Sequence, residues 1–592
     1  MIETARKGWS VPRPYWILIA AWVLFTCCAV ARIGQPVTQD ELWWLVAAKT
    51  LISTGLPQQY SDPGRLVVHS PHLYLHSLIS AFRLFGGSEA IARFPGIISG
   101  WISIALIFFI VRSCAKGSGA GSMEWAAWTA FSYATIPAVV QGAAIIDIDM
   151  TLLIPPILLL FWFTFEYLRS PRLFWGVWVG LALCLALWVK VTTPVILAIY
   201  LLMYSFVARI SLRQRLAYMG AILMGILLFV GSWNVYCHYA HVPFAEPFRY
   251  TLQAFWGRSI KPDTAGLSQV VLSLFFFTLW IGIPLTILFV GISVRRGCEF
   301  IKRCTLHPTD LFLFGGLVLI VGYTLVGGAS FGYPKYQMPA ISLLLVYIGL
   351  LGTRLGEGIG GKGYGWVCAI CSILVLAQYF LIGDLLYPFK YAMREALAYD
   401  LPSYRQILGT AILKGTLLVI LAAVLYCLGR KRIPSGHTLL LLLVISLGSN
   451  TGMTIRQGAA DYHTGYNYGG RGTIETAEYI RGIVPLDGVV IGPSELIYYL
   501  NRPSSPYVSN ALWTDGAKLG SILHRRTTAV LAYGISTNTV EQIRTILKDE
   551  SIQGILRRDY QRVERGSYQI WIRKGLPFHA ARGKTATGGR RK

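Results

Sequence analysis

Charge is what this sequence has least of. Only 14% of its 592 residues are Asp, Glu, Lys or Arg, while 54% are hydrophobic. Soluble domains carry about 25% charged residues, so a chain this long must bury its surface in something other than its own core. Acids are the scarcer sign, 28 against 53 Lys and Arg, for a formal net charge of +25. No zinc-finger spacing, aromatic RNA-binding motif or basic helix accompanies that excess, which argues against the common nucleic-acid modules. Cysteine forms no framework. Cys27, Cys28, Cys184, Cys368, Cys371 and Cys427 lie in apolar runs, where cysteine behaves as a small hydrophobe. The CxxC at Cys368 and Cys371 stands alone and is weak evidence for a metal. The first apolar run lacks a small-residue cleavage site, so a retained helix is expected there and not a removed signal peptide.

Long apolar runs are what the sequence does have. Trp16 to Val30, Ile97 to Val111, Leu216 to Val230 and Leu417 to Leu428 are typical. With their flanks they approach the roughly 20 residues a bilayer requires, and none shows the polar face of a soluble core helix. Hydropathy predicts spans at 15–33, 94–111, 125–141, 150–167, 173–188, 192–207, 216–236, 267–294, 311–326, 338–351, 366–386, 411–428 and 438–453, about thirteen in all.

Alternate connections are basic. One set holds Arg6, Lys7 and Arg13; Arg112 and Lys116; Arg169 and Arg172; Arg209, Arg213 and Arg215; Arg295, Arg296, Lys302 and Arg303; Arg354 and Lys362; and Arg430, Lys431 and Arg432. By the positive-inside rule this set is cytoplasmic. The loop 34–93 and everything after about residue 454 are then extracytoplasmic. The expected organisation is a polytopic α-helical membrane domain over 1–453, including the first outer loop 34–93. An extracytoplasmic α/β domain over 454–574 and a basic disordered tail over 575–592 follow. In the α/β domain, 473–483 and 540–548 read as helices, and 488–491, 527–533, 552–556 and 568–572 as strands. From Thr454 onward there are 20 Lys and Arg against 11 Asp and Glu, a surface suited to anionic polymers or lipid headgroups.

Charged groups at a membrane are costly, so each is a candidate functional residue. On the outer face the acids gather at Asp40-Glu41 and at Asp147-Ile148-Asp149. Basic and hydrogen-bonding groups on that face include Lys190, Arg249, Arg258 and Lys335-Tyr336. Carboxylates serve as general bases toward a hydroxyl. Cations and a phenol hold a phosphate leaving group. The structural alternative stands beside each: helix-dipole charges for Asp40 and Asp149, and snorkelling for Lys190.

The order of motifs resembles the GT-C superfamily of polyprenyl-phosphate-sugar-dependent glycosyltransferases. The bacterial branch of lipid A aminoarabinose transferases and protein O-mannosyltransferases is the most similar. Thr38-Gln39-Asp40-Glu41-Leu42 resembles that family's first-loop Asp-Glu pair, and His69-Ser70-Pro71-His72-Leu73-Tyr74 its Pro-Pro-Leu-Tyr motif. Leu84-Phe85-Gly86, Ala92-Arg93-Phe94-Pro95, Val189-Lys190-Val191-Thr192, Phe255-Trp256-Gly257-Arg258 and Pro334-Lys335-Tyr336-Gln337-Met338-Pro339 follow in order. The resemblance covers about the first 350 residues, and no single motif in it is specific.

The resemblance implies a GT-C fold and an inverting sugar transfer to a hydroxyl of a cell-envelope glycan, glycolipid or protein. Asp40 would be the catalytic base, assisted by Glu41 and Asp149. Lys190, Arg258 and Tyr336 would bind the donor phosphate. His69, His72, Arg93 and Lys335 would be further substrate contacts. The aminoarabinose branch often has Glu-Lys-Pro-Pro where this chain has His69-Ser70-Pro71-His72. That loss of a lysine argues against carrying over the aminoarabinose and lipid A substrates.

Two carboxylate groups can hold a divalent cation through oxygen, but no obligatory metal or other cofactor is expected. The expected partners are the lipid-linked donor, the acceptor and membrane lipid, with no nucleic acid. The expected location is the bacterial inner membrane, with the active site outside. A transporter or flippase of lipid-linked sugars is the competing class. It favours inverted repeats and midplane sites, and the sequence shows neither. An O-antigen ligase or polymerase is a third, which the early Asp-Glu loop fits less well.

Overall fold

The computed structural model describes residues 12–37, 39–59, 62–115, 122–208, 210–258, 280–303, 306–325, 335–354, 472–485, 488–500, 516–525, 527–534, 549–565 and 568–575, with scattered positions at 274–278 and 443–451. The expected spans at 366–386 and 411–428, most of 438–453, the helix at 540–548 and the basic tail lie outside the described residues. The chain forms two compact units, Met1–Gly34 with Val68–Ala460 and Gln35–Val67 with Asp461–Lys592.

The larger unit is helical. It contains α1 (Arg13–Val30), α3 (Leu73–Phe85), α4 (Glu89–Ala92), α5 (Phe94–Cys114), α6 (Ser122–Thr135), α7 (Pro137–Ala143), α8 (Ile154–Arg169), α9 (Leu173–Val189), α10 (Thr192–Val207), α11 (Leu212–Ala240), α12 (Glu246–Arg258), α13 (Ile283–Arg303), α14 (Asp310–Leu325) and α15 (Met338–Arg354). Among the described residues, four helical stretches are long and apolar enough to cross a membrane: Arg13–Val30, Glu89–Cys114, Leu212–Ala240 and Lys335–Arg354. Shorter apolar helices accompany them at Leu73–Phe85, Leu173–Val189, Thr192–Val207 and Asp310–Leu325.

The outward faces stay apolar. Leu223, Leu227 and Val235 of α11 and Ile199, Met203 and Phe206 of α10 are exposed. Contiguous patches of this kind are rare on soluble monomers, and lipid is the solvent that suits them. Inside, small residues permit close helix approach. A Cβ on Gly225 of α11 would come within 2.5 Å of the Gly180 carbonyl oxygen of α9.

Two expected spans are broken by backbone chemistry. The span at 125–141 becomes α6 and α7, because Pro137 begins a new helix and lacks the N–H that would continue the old one. The span at 267–294 is interrupted at Gly282, whose φ of 97° lies outside the helical region. Arg295 and Arg296, expected in a loop, lie on α13, which runs on to Arg303.

The smaller unit contains α2 (Gln39–Thr54), the hairpin β1 (Gln58–Gln59) and β2 (Asp62–Leu66), and a later layered part. That part comprises α16 (Thr473–Ile483), β3 (Val489–Ile491), α17 (Ser494–Leu500), α18 (Gly516–Leu523), β4 (Thr528–Gly534), α19 (Glu550–Asp559), β5 (Tyr560–Arg565) and β6 (Tyr568–Arg573). The sheet order is β3-β4-β6-β5, with β3 parallel to β4 and the other pairs antiparallel. Alternate residues face opposite cores. Val530, Ala532, Ile570 and Ile572 pack with α16 and α17, while Leu531, Tyr533 and Trp571 pack with α18 and α19.

Two sequence expectations fail in this unit. The segment 552–556 is helical, not a strand. Asp549 caps α19 by accepting from the Ser551 and Ile552 N–H groups, and Ile552, Ile555 and Leu556 fall on one buried face at helical spacing. The first outer loop also does not stay whole with the membrane domain. Residues 35–67 join the C-terminal unit, where the Val37 N–H donates to the Tyr499 hydroxyl at 2.8 Å and the Lys49 ammonium to that of Tyr498 at 3.2 Å.

Candidate active site

The irregular turn between α7 and α8 carries two carboxylates into a buried place. Asp147 is 1% exposed and Asp149 2%. The turn holds its own shape: the Asp149 N–H donates to Asp147 Oδ1 at 3.2 Å, the Thr151 hydroxyl donates to the Asp147 carbonyl, and the Ser99 hydroxyl donates to the Thr151 carbonyl at 2.6 Å. Arg93, between α4 and α5, fixes the turn from the other side. Its guanidinium donates to the Ala144 carbonyl at 2.8 Å and the Ile33 carbonyl at 2.9 Å. That is a positioning geometry.

Two lysines meet these carboxylates. Lys190, at the end of α9, pairs with Asp149, and Lys335, in the short 3₁₀ turn before α15, pairs with Asp147. Lys190 leaves the helix because its backbone is extended, with φ −157° and ψ 143°. Both pairs are desolvated; the lysine side chains are 11% and 10% exposed. Breaking such a pair from one side costs roughly 3–5 kcal/mol, so the four residues act as an interlocked unit.

Tyrosine faces complete the site. The Lys190 ammonium lies 4.3 Å from the Tyr336 ring centroid and 6.0 Å from that of Tyr323. Lys335 is 5.6 Å from the Tyr336 centroid. The two rings stack at 5.3 Å with 16° between their planes. The Tyr323 hydroxyl shares a hydrogen bond with that of Thr193, and Gln337 donates to the Thr324 hydroxyl at 3.0 Å. The electron-rich ring faces favour the ammonium ions.

Of the residues expected from sequence, Asp149, Lys190, Lys335 and Tyr336 therefore come together. Asp147 belongs with them, although the sequence assigned it no role of its own. Tyr323 and Thr193 left no signal, because a tyrosine and a threonine within an apolar run read as core. The expected histidines lie on a different patch. His72 is buried; its Nδ1 is 2.9 Å from the Tyr236 hydroxyl, and its ring meets Trp233 edge-on. The half-buried His69 faces Tyr250 at 5.3 Å. Asp40 and Glu41 open α2 in the smaller unit, where Glu41 is fully buried. The side chains of Asp40 and of Arg258, at the end of α12, lie outside the described residues. Among the described residues no group of three or more His, Cys, Asp or Glu is arranged to hold a metal.

Residues 69–233 match the family described as dolichyl-phosphate-mannose-protein mannosyltransferase. No curated protein matches the sequence. Among solved structures, ArnT from Cupriavidus metallidurans bound to undecaprenyl phosphate superposes with a TM-score of 0.57 at 14% identity, covering 94% of this chain and 97% of ArnT. The apo state of the same ArnT gives a TM-score of 0.55 at 14% identity, with the same coverage. At that identity the likeness is one of fold. The family match lies within the helical unit and the likeness of architecture extends over nearly the whole chain, so the chain has an ArnT-like fold.

Proposed function

We propose that the protein is an inverting glycosyltransferase that moves a sugar from a polyprenyl-phosphate donor to a hydroxyl of an extracytoplasmic acceptor. The acceptor class is a cell-envelope glycan, glycolipid or protein. The observation that supports this most is the pair of buried Lys–Asp bridges against stacked tyrosines. The Lys190 ammonium has three N–H donors, and its bond to one Asp149 oxygen uses only part of that capacity. The rest can receive a phosphate. Held in place before the donor arrives, the lysines need little reorganisation, which is how preorganised charge lowers a barrier. The ArnT structure that shares this architecture was solved with undecaprenyl phosphate bound, and we extend that ligand class to this chain.

In this reading Asp40 takes the acceptor hydroxyl proton as the oxygen bonds to the anomeric carbon. The bond from that carbon to the phosphate oxygen breaks, and polyprenyl phosphate leaves. Lys190, Arg258, Tyr336 and Lys335 stabilise the charge developing on the leaving phosphate. Glu41 and Asp149 orient the reacting groups. Arg93 positions the carboxylate turn. His69 is better exposed than His72 for a substrate contact. The cations already supply counter-charge to a monophosphate, so the step does not require a divalent ion.

The test is direct. The purified chain in lipid nanodiscs receives an undecaprenyl-phosphate-linked sugar and an envelope acceptor. Released polyprenyl phosphate is quantified by mass spectrometry, and the product's anomeric configuration is read by NMR. Release with inversion is expected. Donor that crosses a vesicle membrane uncleaved identifies a transporter instead, and retention removes the single displacement.

A further inference from the structure

The helices that start at the lysine–carboxylate cluster end at a second polar place. The α8 helix leads away from Asp149 for 16 residues and α15 leads away from Lys335 for 17, about 25 Å at 1.5 Å per residue. At their far ends a cavity of about 280 Å³ opens, lined among others by Cys114 at the end of α5, Arg169 of α8, Arg354 of α15 and the turn His307–Thr309 before α14. This is the face whose loops carry the basic residues.

The carboxylates around the cavity are already engaged. Asp310 accepts from Arg296 Nε at 3.1 Å and Nη2 at 2.5 Å, and from the His307 N–H at 2.8 Å. Glu166 accepts from the Ser113 hydroxyl at 3.0 Å. The cations are not neutralised in the same way. Arg354 donates to the Thr309 hydroxyl at 2.8 Å and to the His307 ring, both uncharged acceptors. Burial, and then the facing Arg354, hold the His307 pKa below its ordinary value, so the ring accepts and does not compete as a cation. Among the described residues Arg169 forms no ion pair. Among the described residues two guanidinium groups thus line one small cavity with no carboxylate in salt-bridge contact with either, Asp310 attracting Arg354 only from further away.

We propose that this cavity is a phosphate-binding site, separate from the candidate active site, that takes the net-anionic phosphate of a lipid headgroup or of a soluble phosphate ester. Guanidinium forks match phosphate oxygens two at a time. Thr309 and Thr353 also line the cavity, while Phe165, Pro308 and Leu350 give it an apolar wall. The volume lies just below the roughly 300–1,000 Å³ of pockets that engulf a drug-sized ligand, which suits a headgroup and not a whole lipid-linked sugar.

The test uses native mass spectrometry of the full chain released from detergent, with phosphatidylglycerol, phosphatidylcholine or inorganic phosphate added. Phosphatidylglycerol adducts are expected to exceed phosphatidylcholine adducts. Arg354→Gln and Arg169→Gln should each weaken them roughly ten- to a hundredfold, the usual effect of losing a hydrogen bond to a charged group. Arg112→Gln is the control: Arg112 is basic and near the same face, but it donates to the Tyr15 hydroxyl and does not line the cavity. Adducts lost only with the lipid assign the site to a headgroup; competition by inorganic phosphate assigns it to a soluble ester. If Arg354→Gln fails to fold, Arg169→Gln decides alone. No preference over phosphatidylcholine, unchanged adducts in the cavity variants, or an equal loss in Arg112→Gln overturns the proposal, the last because only diffuse attraction to a basic face would then remain. None of these readouts involves sugar transfer, so the proposal stands or falls apart from the enzymatic reading.

Discussion

Replacing Lys190 with Met separates what its bridge does for the fold from what it does for the donor. The substitution keeps the apolar stem and removes the ammonium. Asp149, 3% exposed in its side chain, then holds an uncompensated charge, at a cost of roughly 3–5 kcal/mol. Adding Asp149→Asn removes that charge, so the double variant should recover most of the loss. The expected coupling energy is about 2–3 kcal/mol, the upper range for residues in direct contact. Donor use should behave differently. A lost charge-assisted bond to phosphate is worth roughly 1.5–3 kcal/mol, or about 10–150-fold. It should stay lost in the double variant, because neutralising Asp149 does not return a cation. Thermal unfolding of the purified protein in detergent measures the first quantity. Polyprenyl phosphate released per folded molecule, at donor concentrations below KM, measures the second. If donor use returns together with stability, Lys190 is a structural residue and the phosphate role is refuted. If Lys190→Met is as stable as the parent, the bridge itself is refuted.

Asp40→Asn should lower turnover by about 10²–10⁴-fold, the usual range for a general base, with donor affinity little changed; near-normal turnover per folded molecule would leave Asp40 as a helix-dipole charge. In the smaller unit, burial pushes the Glu495 carboxyl from its ordinary 4.5 up to about 8. The folded state then keeps a proton that the unfolded state releases, so stability falls as pH rises between those two values, by at most about 1.4 kcal/mol per pH unit. Hydrogen exchange of residues 489–500, corrected for the intrinsic rate, should show that slope in the parent protein and lose it in Glu495→Gln; a slope that survives the substitution rules Glu495 out as its source.

Hydropathy made the helices legible because lipid-facing helices are apolar nearly all round, as α9 and α10 are. It did not register breaks that cost no hydropathy. Pro137 and Gly282 interrupt the backbone while the side chains on either side stay apolar. The segment 552–556 misled for a related reason: three branched apolar residues in a short run fit a strand or one face of a helix equally well. The cap at Asp549 decides it, and capping is a local polar contact that an apolar count ignores. The docking of 35–67 onto α17 was out of reach altogether. It rests on Val37 with Tyr499 and Lys49 with Tyr498, partners more than 400 positions apart whose side chains carry no mark of the pairing.

The site was legible one residue at a time but not as pairs. Asp149 and Lys190 stood out because an ionised group in an apolar run is costly and calls for an explanation. The explanation that sequence offers is a substrate, since the compensating charge cannot be seen. The fold supplies a second answer. Lys190 compensates Asp149 across 41 positions, and Lys335 compensates Asp147 across 188. Had all the charge served only to satisfy itself, one bridge would have sufficed and the neighbouring positions could have been apolar, because replacing a buried ion pair with hydrophobic residues is often neutral or stabilising. Two bridges side by side, with both ammonium groups against the same tyrosine ring, carry a desolvation cost that packing alone does not explain. A ligand whose charge is shared between the two lysines does explain it, and this makes Asp147 and Lys335 as informative to test as the two residues that the sequence picked out first.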